Sequence, residues 1–592
     1  MKKYTADFET ATWLPDETYV WAWATCEIGN PDNLIIGNTI ESFIEWCIKH
    51  NNTTLYFHNL KFDGEFIISY LFNNGYEYIK DRKEKKDKTF TTLISDMGLF
   101  YSMEIYFHVK GRKTKKVTII DSLKIINMSV KDVAKSFGLP ISKLELDYDR
   151  VRPYGYELKD YEKYYITNDV KIMALALDTL FKQGMEYMTA GSNALHDFQK
   201  THSKRRYERM FPELNYNIDK DMRQAYKGGF TYLNPIYKEK DIGEGVVLDV
   251  NSLYPSVMYK CPMPIGEPIL FQGKYEEDRV YPLYIQMLSC AFEIKPGKIP
   301  TIQIKNGKGR YHNYFIENEY LETSNGEIIS LVLSSVDLKL FLDQYNVYEL
   351  TYECGWKFKA MNGIFTEYID KWVKVKNEAT LSGNKGMRQI AKIALNSLYG
   401  KFATSLDVQS KCPYIEDGVV KYYLTEKETK KGLYLPIGIF ITSYAREKTI
   451  RTSQAIKDYS IKKYGIDMYC YSDTDSIHTI LPIEELKQFC EIDNVELGKW
   501  KHESTFKKAR FVRQKCYLEL IDDEVKITCA GMPKECYKYV EWEKFKQGFT
   551  CGGKLTFKHV KGGVKLVETD FTIKYDYKLK NNIRNLNIYD II

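Results

Sequence analysis

The chain is expected to fold as a multidomain α/β and α+β protein, and three observations predict this. At 592 residues it is too long for one hydrophobic core, so it should divide into several domains. Roughly its first 190 residues alternate strand-like and helix-like segments, the pattern of an α/β layer domain. A composition shift at "TAGSNA", Thr189 to Ala194, then marks a boundary. With 44% hydrophobic and 28% charged residues the whole reads as soluble and globular rather than disordered.

Taken in order, "YTADFET", "TTLYFHN" and "KVTIID" look like buried strands, and "DYEKYYITNDVKIMALALDTLFKQGM" has helical periodicity. Beyond the boundary, "EGVVLDVNSLYPSV" reads as a buried strand ending at Pro255, and a loop- and strand-rich stretch runs to about Gly363. A helical segment extends from about Phe365 to Tyr399, broken near "SGNKG". Strands and turns lead to "GIFITSYAREKTI", and "MYCYSDTDSIH", Met468 to His478, follows as strand-turn-strand. The Gly- and Lys-rich end from about Gly531 reads as a small appended unit.

Net charge is only +6, which does not by itself indicate a polyanionic partner. The 48 tyrosines suit a wet surface on which bases stack, but also ordinary packing. Two local runs are more basic: "KGRKTKK" (Lys110 to Lys116) has five bases and no acid, and "KDRKEKKDK" (Lys80 to Lys88) has six bases against three acids. Either alone reads as a solvated hairpin tip. The 12 cysteines include no C-x-x-C pair, which argues against a structural zinc site and a secreted disulfide scaffold. Acids in "YTADFET" stand where a signal peptide needs an apolar stretch, and no run approaches the length of a membrane span. A reduced, intracellular protein that is not secreted is expected.

Two clusters of acids carry chemistry. In the first, Asp7 and Glu9 are spaced i, i+2 on a strand and point one way, while Asp63 in "HNLKFDGEF" and Asp169 in "YYITND" come from separate segments. Tyr165 lies one helical turn before Asp169, on the same face. Four such acids could hold two divalent cations about 3.5–4 Å apart, activating a water and stabilising a leaving alkoxide, as phosphodiester hydrolysis requires. Singly, each reads as a surface or capping residue; only the set persuades.

In the second, Asp249 ends the apolar strand "VVLDV", where a lone charge is costly unless paired or metal-bound. Asp473 and Asp475 sit in "MYCYSDTDSIH"; on an alternating strand they would share a face, roughly 7 Å apart along the backbone. In "RQIAKIALNSLYG", Ala391, Ala394, Leu395 and Leu398 form a core stripe, and Arg388, Lys392, Asn396 and Tyr399 a second stripe beside it. The helix alone reads as amphipathic with a solvated basic face. Set opposite three carboxylates it supplies cations for a triphosphate, the arrangement of two-metal phosphoryl transfer to a primer 3′-hydroxyl.

These residues are recognisable. "DVNSLYPS", "KIALNSLYG" and "YSDTDS" resemble, in order, motifs A, B and C of family B DNA polymerases, and "DFET", "NLKFD" and "YITND" resemble their three proofreading exonuclease motifs. "YKGGF" (Tyr226 to Phe230) resembles the element between the exonuclease and polymerase parts, and "RQKCY" the element near the primer terminus; "KWKHESTFK" and "GIFITSYAR" also resemble family segments. The similarity runs from the N-terminus to about Lys574 and is closest to the protein-primed replicases of small tailed phages, the phi-twenty-nine type.

The resemblance implies an RNase H-like 3′–5′ exonuclease domain at 1–189, then a right-hand polymerase: palm at 190–260 and 437–529, fingers at 364–403 and thumb at 530–574. It implies two insertions special to protein-primed enzymes, at 261–363 for docking the terminal protein and at 404–436 for processivity and strand displacement. Carried over by position, Asp249, Asp473 and Asp475 are polymerase metal ligands, with Val250 offering its carbonyl. Tyr254 is the gate under the sugar, and Lys376, Arg388, Lys392, Asn396 and Tyr399 meet the nucleotide. Lys515 and Tyr517 hold the primer end, and Tyr226, Gly228, Gly229, Ser252 and Lys401 lie along DNA. Asp7, Glu9, Asp63 and Asp169 are exonuclease ligands, with Glu145 a further metal-ligand candidate, and Tyr165 orients the water. Thr10, His58, Asn59, Phe66, Ser122, Leu123, Lys143 and Tyr148 hold the frayed primer. The run Lys110 to Lys116 precedes Ser122 and is expected to meet DNA backbone.

The implied cofactor is Mg²⁺, two ions per active site, with Mn²⁺ tolerated. The implied partners are primer-template and single-stranded DNA, dNTPs and a terminal priming protein. A monomer in the host cytoplasm, with no membrane partner, is expected. The family pattern is departed from at Ser472, where Gly or Cys is usual, and at Glu145, where close relatives carry Asp near the exonuclease metals. The segment "NEATLSGNKGM" is longer than the pattern, Arg388 replaces a Lys, and the last 18 residues, 575–592, lie past its end. Two other readings are open: a polymerase primed only by nucleic acid, against which the insertions argue, and a catalytically dead DNA-binding scaffold, against which the intact acids argue.

Overall fold

A computed structural model describes residues 2–110, 113–148, 150–303 and 320–574. The first region is an α/β layer. Its eight-stranded sheet runs in the order Asn30–Gly37, Val20–Glu27, Lys3–Thr10, Thr53–Phe57, Lys113–Asp121, Phe100–Lys110, Thr89–Ile94, Glu77–Tyr78. Lys3–Thr10 is central, antiparallel to Val20–Glu27 and parallel to Thr53–Phe57. The anticipated helix is Asp160–Phe181, packed across Lys3–Thr10 and Val20–Glu27, where Thr5 Oγ1 donates to the Val170 carbonyl at 2.7 Å. Helix Leu60–Asn73 covers another part of the layer.

The segments expected to form the palm build a five-stranded sheet ordered Trp500–Phe506, Gly245–Val250, Ser476–Thr479, Tyr469–Asp473, Thr231–Leu233. Behind it lies the 30-residue helix Leu435–Tyr464, which includes "GIFITSYAREKTI". The expected break at "SGNKG" separates helices Thr366–Leu381 and Lys385–Ser397, which pack as a pair. Within 261–363 a four-stranded antiparallel sheet (Met263–Gln272, Tyr345–Met361, Leu283–Ile294, Ile329–Ser334) carries helix Ser335–Gln344. Within 404–436 the hairpin Lys411–Glu416/Val419–Leu424 stands out. Strands Lys508–Arg513, Cys516–Ile521 and Glu524–Cys529 form a further sheet, followed by the long hairpin Thr550–Val560/Gly563–Thr572. No helix among the described residues is long and apolar enough to cross a membrane.

The C-terminal end is not a small appendage. Its hairpin reaches back to the first domain, where Thr18 N–H donates to the Lys561 carbonyl at 2.9 Å and the Phe62 and Phe557 rings meet at 6.2 Å. Gly562 makes this possible: a Cβ there would lie 2.0 Å from the Thr18 carbonyl oxygen, and its φ is +87°. Such a contact spans most of the chain, and local periodicity carries no trace of it.

Arg446, in the long helix and 4% exposed, ties three segments together. Its guanidinium donates to Asp337 at 2.6 Å and to the carbonyls of Lys227 and Gly228 at 2.7 and 2.8 Å. Burial pushes the Asp337 carboxyl up, but Arg446 more than offsets this and holds it below its ordinary range. Asp337→Ala leaves a buried cation short of its anion, so a loss of about 3–5 kcal/mol is expected, read as a lower midpoint in urea. Because the folded-state value is depressed, the stabilisation is present above about pH 4 and fades as pH falls.

Candidate active sites

In the palm, three carboxylates converge because adjacent strands end together. Asp249 pairs with Ser476 across antiparallel strands, and the Val250 N–H donates to the Asp475 carbonyl at 2.8 Å. Asp473 and Asp475 do not share one alternating strand. Asp473 pairs with Ser476, which leaves Thr474 and Asp475 as a two-residue hairpin turn, with Thr474 at φ +62°. The turn, rather than the pleat, brings the two acids together. It is held by the Asp475 N–H to Asp473 C=O bond at 2.7 Å, the Thr474 N–H to Phe230 C=O bond at 2.7 Å, and Thr449 Oγ1 on the Thr474 carbonyl at 2.7 Å.

The positive charge comes from Lys515, whose Nζ is 2.5 Å from Asp473 Oδ1; Thr231 Oγ1 donates to the same oxygen at 3.1 Å. Burial, then Asp475 and Glu503, pushes the Asp249 carboxyl up to about 7, and burial also raises Asp475. Tyr471 OH accepts from the Lys515 N–H at 2.8 Å, and the Tyr471 and Tyr517 rings meet at 5.3 Å, so Lys515 and Tyr517, the pair expected at the primer end, are braced against the turn. Ser472 is fully buried; its hydroxyl lies 3.1 Å from Ser453 on the long helix and accepts from Tyr469 OH at 2.9 Å.

Above this cluster the Lys385–Ser397 helix exposes Arg388, Lys392 and Asn396 and buries Ala391, Ala394 and Leu395, the two stripes anticipated. Lys376 is lowered first by burial, then by Arg388, Lys392 and Lys501, so these cations share one region. The Tyr254 and Tyr399 rings stack at 4.0 Å and 24°. Ser252 takes a left-handed backbone at the entry to the Tyr254 helix. Tyr226 is half-buried, as is Lys401, lowered by burial.

The first cluster lies in the α/β layer. Asp7 and Glu9 are on Lys3–Thr10, Asp63 is in the first turn of helix Leu60–Asn73, and Asp169 and Tyr165 are on helix Asp160–Phe181. Glu9, Asp63 and Asp169 are 6%, 3% and 2% exposed. Burial, then Asp169, pushes Asp7 up to about 7; burial, then Asp7, pushes Glu9 and Asp63 well above their ordinary values. Lys143 again supplies one cation, with Nζ 2.6 Å from Asp169 Oδ2. The Tyr148 and Tyr165 hydroxyls are 2.8 Å apart.

His58 is fixed by Ser122 Oγ at 2.9 Å and the Met128 carbonyl at 2.7 Å. Thr10 is buried at 8% and Phe66 at 2%, the latter beneath Gly563 of the C-terminal hairpin. Glu145 is exposed. In the basic runs, Lys116 and Arg82 both pair with Glu104, at 2.8 and 3.2 Å, and Lys86 pairs with Glu77 at 2.5 Å. Gly111 and Arg112 lie outside the described residues, as do 575–592.

The all-oxygen donor sets suit hard divalent cations, and Asp63 Oδ1 and Asp169 Oδ1 are buried without a hydrogen-bond partner. As they stand, no three such side chains among the described residues are close enough to enclose an ion, so binding would draw them inward. Sequence reasoning missed Asp121. It is fully buried, and its carboxylate accepts from the Asn59 and Leu123 N–H groups, each at 3.0 Å. One acid therefore positions two predicted primer contacts; its signal was a charge ending the apolar run "KVTIID".

Residues 44–164 and 152–489 match the family model of DNA polymerase type B, organellar and viral. The DNA polymerase of Bacillus phage B103 is 45% identical over 596 residues, spanning 97% of this chain and 100% of that one. The chain belongs to the type B DNA polymerases, in their phi29-type phage branch. Two solved structures of phi29 DNA polymerase are similar throughout. One, with primer-template DNA and incoming nucleotide, has a TM-score of 0.88 at 43% identity. The other, with single-stranded DNA, has a TM-score of 0.87 at 42%, and both span 97% of this chain and 100% of the other.

In this polymerase the close approach at Gly229 is specific. A Cβ there would meet the Thr474 side chain, with Oγ1 at 2.5 Å and Cβ at 2.9 Å. Gly229→Ala is expected to displace the turn and slow primer extension about tenfold or more, an effect of about 1.4 kcal/mol. The double variant Gly229→Ala/Thr474→Gly should recover part of the rate, measured by single-turnover extension.

Proposed function

We propose that this type B DNA polymerase replicates a linear phage-type genome, starting from a terminal protein's hydroxyl, extending with strand displacement and proofreading 3′ to 5′. The observation that carries the two-activity reading is the pair of separate carboxylate clusters, each on its own sheet with its own lysine. Its substrates are dNTPs and primer-template DNA, with single-stranded DNA for the exonuclease, in keeping with the phi29 polymerase complexes. It acts as a monomer in the host cytoplasm.

Asp249, Asp473, Asp475 and the Val250 carbonyl would hold two Mg²⁺ at the polymerase site, and Asp7, Glu9, Asp63 and Asp169 two at the exonuclease site, with Mn²⁺ tolerated. The bound ions supply Lewis-acid activation of a hydroxyl or water and charge stabilisation of the leaving oxygen. The chain does the rest. Lys376, Arg388 and Lys392 bind the triphosphate, while Tyr254 and Tyr399 offer a stacked wall against the sugar. Lys515 and Tyr517 hold the primer end beside Asp473. In the exonuclease, Lys143 neutralises Asp169, and the Tyr165–Tyr148 hydroxyl pair orients the attacking water. Glu145, a further candidate ligand, is exposed, unlike the buried Glu9, Asp63 and Asp169.

Asp473→Ala should abolish extension of a primed template while 3′–5′ degradation persists. Asp7→Ala with Asp63→Ala should do the reverse. Both are read on one labelled primer with Mg²⁺, and loss of both activities in either variant would refute separate sites.

Protein priming is favoured over priming by nucleic acid alone because folded units stand within 261–363 and 404–436. Incubated with its terminal protein and dATP but no primer, the polymerase should transfer dAMP to a Ser, Thr or Tyr hydroxyl. Labelled protein on a denaturing gel reads the transfer, and no label with an active enzyme would leave the nucleic-acid-primed reading.

A further inference from the structure

Four of the 12 cysteines, Cys516, Cys529, Cys536 and Cys551, fall in one apolar cluster beside the primer-end strand. Cys516 and Cys529 face each other across antiparallel strands, with Sγ atoms 3.3 Å apart. One pair further out, the Ala530 N–H donates to the Lys515 carbonyl at 2.7 Å. Cys516 and Cys529 are therefore a non-hydrogen-bonded pair, the register in which facing residues come closest, with Cα atoms about 4.5 Å apart. A disulfide spans that separation. The thiols of Cys536 and Cys551 make a second contact nearby. Among the described residues no three of these sulfurs are close enough to enclose an ion, so facing pairs describe the cluster better than a thiolate metal site.

We propose that Cys516 and Cys529 form a thiol–disulfide exchange site that accepts oxidising equivalents from a low-molecular-weight disulfide. Cys529 is 7% exposed and Cys516 fully buried. Cys529 is the more exposed of the two and its contact with Cys516 holds its thiol below the ordinary value, which makes Cys529 the attacking sulfur. Its thiolate attacks one sulfur of the oxidant, forming a mixed disulfide and releasing one thiolate. Cys516 then loses its proton and attacks Cys529 Sγ, displacing the second thiol. Two protein thiols are oxidised, one external disulfide is reduced to two thiols, and the two protons end on the leaving sulfurs.

Cys516 stands between Lys515 and Tyr517, and closing the gap from 3.3 Å to about 2.0 Å pulls on the strand that aims both. Oxidation therefore weakens the hold on the primer end. This consequence rests on the reading of Lys515 and Tyr517 given above; the exchange chemistry does not.

The full-length polymerase is incubated with glutathione disulfide, alkylated, digested and analysed by mass spectrometry, with primer extension assayed in parallel. Expected are a Cys516–Cys529 linked peptide, a several-fold rise in KM for primed template with kcat less affected, and full reversal by dithiothreitol. Cys516→Ser should extend normally and ignore the oxidant; if it does not fold, Cys529→Ser serves the same purpose. A reaction that stops at a glutathione adduct, the absence of any linked peptide, or zinc released by a mercurial would overturn the exchange site. A linked peptide with unchanged KM would overturn its effect on the primer. Lys515→Ala extending normally would instead overturn the reading of the grip.

Discussion

Seven carboxylates gathered in two small volumes set the constraint that the rest of the structure meets. Like charges brought out of water raise one another's proton affinity, and a backbone free to relax would let them part. The protein holds them by main-chain geometry. In the palm, Asp249 and the turn at Asp473–Asp475 are locked by ladder hydrogen bonds between neighbouring strands. In the α/β layer a central strand and two helices supply the acids. One lysine per cluster, Lys515 and Lys143, relieves part of the repulsion. The remaining negative charge is left for a counter-ion or a bound cation to balance.

Much of this was legible because strand ends and helical stripes leave local marks. The basic stripe Arg388–Lys392–Asn396, the break at "SGNKG" and the helix carrying Tyr165 and Asp169 all follow from periodicity. The palm turn was misjudged in one respect: Asp-Thr-Asp alternates like a strand, yet Thr474 takes a left-handed backbone that a period-two pattern cannot express. Asp121 was missed because its partners are backbone N–H groups, that of Asn59 far away in sequence, and such contacts leave no side-chain pattern. Ser472 stands where the family pattern usually has Gly or Cys. In the fold its hydroxyl joins Tyr469 to Ser453, giving a buried polar link between the hairpin that carries Asp473 and the long helix.

The two carboxylate clusters are physically coupled, although they sit on different sheets. Helix Leu60–Asn73 carries Asp63 on one face; elsewhere on the same helix, elements from the far end of the chain cover it. Glu65 accepts from Tyr422 OH at 2.7 Å, within the 404–436 insertion, and lies 3.5 Å from His559 of the C-terminal hairpin. Phe66 is sealed by Gly563. The helix that carries Asp63 is therefore braced by elements from the later part of the chain. Residues 1–189 would expose this apolar face if expressed alone, and the covering hairpins would lose the surface that orders them. A polymerase built this way cannot shift its C-terminal hairpin without disturbing the helix that carries Asp63, so the register of that acid cluster depends on the later part of the chain as well as on its own sheet.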